Sequence, residues 1–131
     1  MRSQLIALAM IAVGAAGPAA AAPQAVSAKA EAGRLTRIAM HADVGPGCTL
    51  GPAPEIRITR KPRYGTLTVL KARVVSKTGA CAGKEIPVQD ILYKARSGGR
   101  TDTVGYDVID GKRDRSVEMR ISVAPAGAAA R

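Results

Sequence analysis

An alternation of apolar and polar residues over positions 101–123 (TDTVGYDVIDGKRDRSVEMRISV) restricts the fold more than any other feature of the sequence. A period of two places every second side chain on one face of a β-strand, whereas a helix requires a period near 3.6 residues. Asp110-Gly111 and the basic residues after it split the stretch into two strands, joined by a connection at 111–115. We therefore predict a hairpin whose inward face carries Val104, Tyr106, Val108, Val117, Met119, Ile121 and Val123.

Turn-forming Gly and Pro residues separate four upstream segments with the same period, at 34–42, 55–60, 66–70 and 90–95. The predicted faces are Ile38 with Met40 and Ala42, Ile56 with Ile58, Leu67 with Val69, and Ile91 with Tyr93 and Ala95. The apolar phase shifts at Leu70, which predicts a bulge or a bend. No window has the pattern of an amphipathic helix, so the sequence predicts an all-β domain, an antiparallel β-sandwich of six or seven short strands. A small, partly open β-barrel is the alternative.

The N-terminus has the regions of a secretory signal peptide in the usual order. Arg2 supplies a positive charge, residues 5–13 (LIALAMIAV) are all apolar, and small residues follow. The apolar run is shorter than the roughly 20 residues that span a membrane. We therefore predict a signal peptide at 1–21, cleaved after Ala21, and a periplasmic or secreted mature form without a transmembrane span. A membrane anchor or a buried helix is the alternative.

Composition divides the rest of the chain into three parts. Residues 22–33 are small, polar and rich in Ala, which predicts a flexible lead-in, with a short helix as the alternative. The domain is predicted at 34–124. Residues 125–131 have nothing to bury, and this favours a disordered tail.

The sequence contains two cysteines, Cys48 and Cys81. An even number of cysteines in an exported chain favours a disulfide. A redox-active or metal-binding pair is less well supported, because the two residues are far apart and no Cys-x-x-Cys motif is present. The sequence also lacks Trp and Phe, so a crosslink would support a core that has few large aromatic side chains.

The formal net charge of +10 favours association with polyanions such as lipopolysaccharide, anionic lipid headgroups, acidic glycans or nucleic acid. Two clusters of basic residues would form one anion-binding patch if their loops lay at the same end of the domain. The clusters are Arg57, Arg60, Lys61 and Arg63 before one turn, and Lys112, Arg113 and Arg115 in the last hairpin. Nucleic acid is the less favoured ligand because the three Tyr residues fall at or near strand positions and are not free for base stacking. Two solvated charged turns without a site are the alternative.

The segment Asp102 to Gly111 (DTVGYDVIDG) resembles the D-x-hydrophobic-x-Y-x-V-x-D-G segment of bacterial Ig-like and cadherin-like repeats. The stretch KPRYGTLTV, at 61–69, is similar to their P-x-x-G-T turn and strand, and ILY, at 91–93, matches the aromatic strand between. The chain departs from these repeats at Ala95, where they carry Pro, and at Val104, where they carry an aromatic residue. The resemblance implies an Ig-like β-sandwich in a short exported protein, but a fold of this kind does not specify a function.

Catalytic and metal-binding patterns are poorly represented. His41 is the only histidine and no Ser lies in a G-x-S-x-G elbow, which argues against a Ser-His-acid hydrolase. A copper site at Met40, His41 and Met119 would lack the second His and the free thiolate that blue-copper sites use. No cofactor motif is present, so no cofactor is predicted.

The cadherin-like resemblance suggests calcium, with oxygen ligands available from Asp102, Asp107, Asp110 and Asp114. The neighbouring cations at 112–115 would repel a metal ion, so structural roles in turns are the favoured interpretation. The sequence thus predicts a non-enzymatic module that binds an anionic envelope component or a protein partner. A purely structural accessory subunit of an envelope assembly, or an unrecognised small inhibitor or enzyme, is the alternative.

Overall fold

A computed structural model describes Gly14 and residues 22–127, and in this part of the chain it contains strands and no helix. No helix in these residues is therefore long or apolar enough to cross a membrane. The predicted signal peptide, apart from Gly14, and the end of the predicted tail at 128–131 lie outside the described residues. The strands are β1 Gln24–Glu31, β2 Thr36–Ala42, β3 Val44–Gly45, β4 Thr49–Leu50, β5 Glu55–Arg60, β6 Gly65–Val75, β7 Glu85–Ala95, β8 Arg100–Ile109 and β9 Arg115–Ala124.

The strands form three sheets, so the all-β prediction is confirmed. The four-stranded sheet has the order β1-β9-β8-β5, the three-stranded sheet has the order β2-β7-β6, and the short strands β3 and β4 pair with each other. Residues of both larger sheets share one buried cluster, which confirms the inward faces predicted for the last hairpin and for 90–95. The cluster contains Ala30, Ile91, Tyr93, Ala95, Val104, Tyr106, Val108, Val117, Met119, Ile121 and Val123.

Strand β1 lies where the sequence predicted a flexible lead-in. It pairs with β9 in parallel, from Gln24 opposite Val117 to Glu31 opposite Ala124. Its small side chains pack against the core, with Ala30 buried. The prediction of a flexible segment is wrong because Ala and Ser have low strand propensity of their own, whereas here the ladder to β9 determines the conformation. The pair also makes the four-stranded sheet mixed rather than purely antiparallel.

A register shift between Arg37 and Ala39 in β2 exchanges the two faces of the strand. Met40 is consequently 45% exposed, and its predicted place in the core is wrong. His41 points inward instead, where its Nε2 lies 2.8 Å from the Tyr106 hydroxyl and the two rings meet edge to face. Burial, and then the nearby charge of Arg115, lower the pKa of His41, so the ring is neutral at pH 7.

Strand β6 is continuous where the sequence predicted a bulge or a bend. It pairs with β7 over its whole length, from Gly65 opposite Ala95 to Val75 opposite Glu85, without a register shift. The apolar residues of β6 move from the inner to the outer face of the sheet without a bulge. Ala72 lies on the outer face, where Pro52 and Ala53 form a shallow depression with it, so an apolar residue is partly covered there. Leu70 precedes that covered region and remains exposed.

The predicted disulfide between Cys48 and Cys81 is confirmed, with both cysteines buried. It joins the turn between β3 and β4 to the connection between β6 and β7. β8 ends beside the start of β5, with Ile109 opposite Glu55. Lys112, in the connection at 110–114 that follows β8, lies near Asp43, which precedes β3, so this connection is at the same end of the sheets as the disulfide. We call this the disulfide end.

Candidate functional site

The two basic clusters lie at opposite ends of the sheets. Strand β5 runs antiparallel to β8, with Glu55 opposite Ile109 and Arg60 opposite Gly105. The length of β5, about 17 Å at 3.4 Å per residue, therefore separates Arg60 from the 110–114 connection. The condition for one patch, that both loops lie at the same end, is not met, because antiparallel pairing carries the end of β5 away from the end of β8.

Basic and acidic groups are mixed at the disulfide end. Lys112 Nζ lies 3.8 Å from a carboxylate oxygen of Asp43. Asp110 accepts hydrogen bonds from the amides of Lys112 and Arg113, at 2.9 and 2.8 Å, and these bonds lower its pKa. Asp107, on β8, accepts a bond from the hydroxyl of Ser116. Asp107 and Asp110 thus stabilise the turn between β8 and β9. In the described part of the chain, no three metal-ligating side chains converge.

Basic residues collect at the other end, which we call the cationic end. It consists of the connections 32–35, 61–64 and 96–99 and the first residue of β8. Backbone hydrogen bonds join these connections: the amide of Gly33 donates to Ala95, and that of Arg96 donates to Tyr64, both at 2.9 Å. Its basic residues are Arg34, Lys61, Arg63, Arg96 and Arg100. Lys61 and Arg63 come from the first predicted cluster, whereas the sequence analysis did not select the other three.

A buried carboxylate holds the 61–64 connection in place. Asp102 is 1% exposed, and its oxygens accept hydrogen bonds from the Tyr93 hydroxyl at 2.7 Å and from the amides of Arg63, Tyr64 and Thr103 at 3.0, 3.1 and 2.9 Å. Burial alone would raise the pKa of Asp102, but these four bonds outweigh it and lower the pKa. Burial and the bond to Asp102 raise the pKa of Tyr93. Asp102 is therefore a structural anchor and not a free metal ligand.

Arginine contacts order the surface above this anchor. The guanidinium of Arg96 donates to the carbonyl oxygen of Arg63 at 2.6 Å, and Arg100 stacks over the Tyr64 ring at 4.8 Å. Arg34 lies 3.6 Å from Glu31. Among the described residues, the side chains of Lys61 and Arg63 have no acidic partner. The cationic end thus presents two unpaired cations on a connection whose backbone is fixed.

Arg57 and Arg60, the other members of the first cluster, belong to a different surface. Arg57 lies opposite Asp107 on the outer face of the four-stranded sheet. Arg60 forms a salt bridge of 3.0 Å with Glu118. Both arginines are partly compensated by acidic neighbours, so the predicted cluster contributes only Lys61 and Arg63 to the cationic end.

The outer face of the three-stranded sheet carries a polar group that the sequence analysis did not select. Asp90 is 6% exposed and lies between Met40 of β2 and Leu70 of β6. One oxygen accepts a bond from Arg37 at 3.1 Å, whereas the other, Oδ1, is buried and has no hydrogen-bond partner among the described residues. In the sequence, Asp90 has the phase of a solvated outer position, and only the neighbouring side chains reveal its burial.

We expect Asp90→Val to raise the free energy of unfolding by about 1 kcal/mol, because it removes a buried acceptor that has no partner and adds a β-branched side chain between two apolar ones. Arg37 is half exposed, so its guanidinium remains hydrated in this variant. The matched change Arg37→Leu should instead lower stability by about 2 kcal/mol, since it leaves a buried carboxylate unpaired. Urea unfolding of both variants tests this, and a loss of stability in Asp90→Val would contradict it.

Comparison with known proteins gives little further information. No family model and no curated protein match the chain. The solution structure of amebosin aligns over 78% of this chain and 99% of its own length, at 10% identity and a TM-score of 0.41. A likeness at that level supports no conclusion about fold or function.

Proposed function

We propose that the chain is an exported, non-enzymatic Ig-like β-sandwich that binds anionic groups through its cationic end. The strand orders β1-β9-β8-β5 and β2-β7-β6, and the buried cluster between these sheets, support the sandwich. The Ig-like assignment also draws on the segments at 61–69, 91–93 and 102–111. The ligand would be a phosphate, sulfate or carboxylate group of an envelope polymer or of a protein partner.

The fixed backbone beneath Lys61 and Arg63 is the observation that carries this proposal. The amides of Arg63 and Tyr64 bond to a buried carboxylate, so the connection does not have to become ordered when a ligand binds. Preorganisation of this kind preserves binding free energy that a mobile loop would lose. The planar guanidinium of Arg63 also suits paired oxygen atoms of phosphate and sulfate.

Retention of the purified protein on immobilised heparin, eluted with a salt gradient, tests the proposal. We expect Lys61→Glu/Arg63→Glu to weaken the apparent affinity for immobilised heparin at least about tenfold at 0.1 M salt. The scale is a binding free energy of about 1 kcal/mol per cation near an anionic surface. The matched control is Lys112→Glu/Arg113→Glu, which changes the net charge by the same amount at the disulfide end. It should weaken this affinity several-fold less, because Lys112 is already paired with Asp43 and the carboxylate of Asp110 lies against the backbone of both residues.

Two outcomes would contradict the proposal. Equal losses in the two double variants would show that net charge alone governs retention, since both lower it by the same amount. A wild-type protein that elutes without added salt would favour the structural alternative, an accessory subunit that binds no ligand. Repeating the gradient with lipopolysaccharide distinguishes phosphate-bearing envelope material from sulfated glycans.

A further inference from the structure

Strand β6 is a long open edge of the three-stranded sheet. All of its eleven residues pair with β7 on one side, and no strand of the described residues pairs with the other side. In an antiparallel ladder the N–H and C=O groups of alternate residues point away from the partner strand. About half of the backbone polar groups of β6 therefore face outward in a regular row.

The other edges of the two larger sheets are less suited to pairing. β2 and β5 are shorter, and each has a register shift that interrupts the row of backbone groups. β1 has eight residues, and its outer side faces β2 across a depression lined by Lys29, Arg34 and Leu35. Bulges, short lengths and charged side chains protect an edge from pairing. β6 is long and has no bulge, and its two charges, Lys71 and Arg73, have one sign that an acidic partner would compensate.

The exposed side chains of β6 also favour a partner. Leu70 is 47% exposed and Val75 is 57% exposed. An extended, regular and apolar edge is a template for strand addition. Two basic residues, Lys71 and Arg73, interrupt its apolar character, and no residue of β6 is acidic.

The side of β6 that faces the four-stranded sheet has an apolar half and a basic half. Leu67 and Val69 are followed on that side by Lys71 and Arg73, because residues two apart share a face. Beside the apolar half, a depression of about 300 Å³ opens between β5 and β6, with Ile58, Pro62 and Leu67 in its lining. A neighbouring strand would thus meet an apolar recess at one end and two cations at the other, one of which, Arg73, also forms an exposed salt bridge of 3.5 Å with Glu85 of β7.

We propose that β6 adds an antiparallel strand from a protein partner. Read from its N-terminus, that strand has the pattern acidic-x-acidic-x-apolar-x-apolar, so that its acidic residues face Arg73 and Lys71 and its apolar residues face Val69 and Leu67. The strand would satisfy the open backbone groups of β6 and place an apolar side chain in the recess beside Ile58. This surface meets the cationic end at Lys61, which lines the recess, but the inference does not depend on the proposed function.

Charge complementarity favours such a partner over a second copy of the chain. If two β6 strands paired around a two-fold axis, Lys71 and Arg73 would face either each other or Leu67 and Val69. Neither arrangement provides an acidic residue, and each copy carries a formal charge of +10. Like charges opposite each other destabilise a strand pair.

Hydrogen exchange measured by NMR, with a synthetic peptide of this pattern, tests the inference. The probe has the central sequence Glu-Thr-Glu-Thr-Val-Thr-Val, and the control peptide has Lys in place of each Glu. We expect the acidic peptide to slow the exchange of alternate amides in β6 and to bind at least about tenfold more tightly than the control. Binding without protection of β6 amides would overturn the inference, as would protection that appears without peptide and rises with protein concentration.

Two charge-reversal variants separate this inference from the proposed function. Lys71→Glu/Arg73→Glu should invert the preference between the peptides, because the side chains facing the added strand become acidic. Arg63→Glu, at the cationic end, should leave peptide affinity within about twofold of the wild type, because Arg63 precedes β6 and does not line the recess. An equal loss in both variants would overturn the β6 inference, whatever the heparin measurements show.

Discussion

Replacing Asp102 with alanine is expected to lower the free energy of unfolding by about 4 kcal/mol. The change leaves the Tyr93 hydroxyl and the amides of Arg63, Tyr64 and Thr103 without their acceptor. A buried donor without a partner costs roughly 1–3 kcal/mol, and water reaches some of these groups in the variant. Urea unfolding followed by circular dichroism measures the difference.

Two control variants and a pH series make this test specific. Asp107→Ala removes a carboxylate of the same strand that accepts one bond, from Ser116, and should cost less than about 1 kcal/mol. The folded-state pKa of Asp102 is lowered, so its contribution is complete above the usual carboxyl value of 3.8 and is lost as the pH falls through the lower, folded-state pKa. Asp102→Asn should therefore lose less stability than the wild type on acidification. Equal costs for Asp102→Ala and Asp107→Ala would show that Asp102 is not an anchor.

Removing the disulfide is expected to lower the free energy of unfolding by about 3.7 kcal/mol, the chain-entropy value for a loop of this length. Cys48 and Cys81 are 33 positions apart, and the bond connects two turns that contain little regular structure of their own. The variant Cys48→Ala/Cys81→Ala should therefore unfold at a lower urea concentration. The wild type with the bond reduced should unfold at a similar concentration.

A comparison of the two measurements identifies the source of the loss. If the reduced wild type and the double alanine variant lose the same free energy, the crosslink itself is responsible. If only the alanine variant is destabilised, the buried sulfur atoms contribute through packing instead, since both cysteines lie in the interior. A loss below about 1 kcal/mol in both would contradict the prediction.

Period-two alternation predicted the central strands because their inner faces are mainly apolar. Ile91, Tyr93 and Ala95 of β7 and the two strands of the last hairpin all have the predicted orientation. The disulfide was predictable for a different reason, namely an even number of cysteines in a chain that reads as exported. In both cases the signal is local or compositional and requires no knowledge of which strands pair.

The errors arise where pairing determines the outcome. The alternation in β2 continues through Met40, but an extra residue in the ladder at Ile38 exchanges the faces, and such a shift leaves no trace in the sequence pattern. β1 is composed of residues that do not favour strands, and only its partner β9 makes it one. Pairing information of this kind is absent from one sequence read alone.

The candidate sites show the same division. The basic residues were apparent in the sequence, but the antiparallel path of β5 determines that Lys61 and Lys112 lie at opposite ends. Asp102 has the inward phase of Val104 and Tyr106, whereas Asp90 has the outward phase of a polar strand residue. One is buried with its acceptors satisfied, and the other is buried with an acceptor unsatisfied. That difference depends on side chains distant in sequence, so composition and spacing could not indicate it.

The pairing of β1 with β9 joins the first and last strands of the domain, with Gln24 opposite Val117. The outermost strand of the four-stranded sheet consequently has no neighbour until the C-terminal strand has emerged from the ribosome. Assembly in the order of synthesis is therefore impossible for this sheet, and early intermediates leave the face that covers Ile91 and Tyr93 incomplete. Such late closure slows folding and leaves β1 without its partner for as long as translation continues.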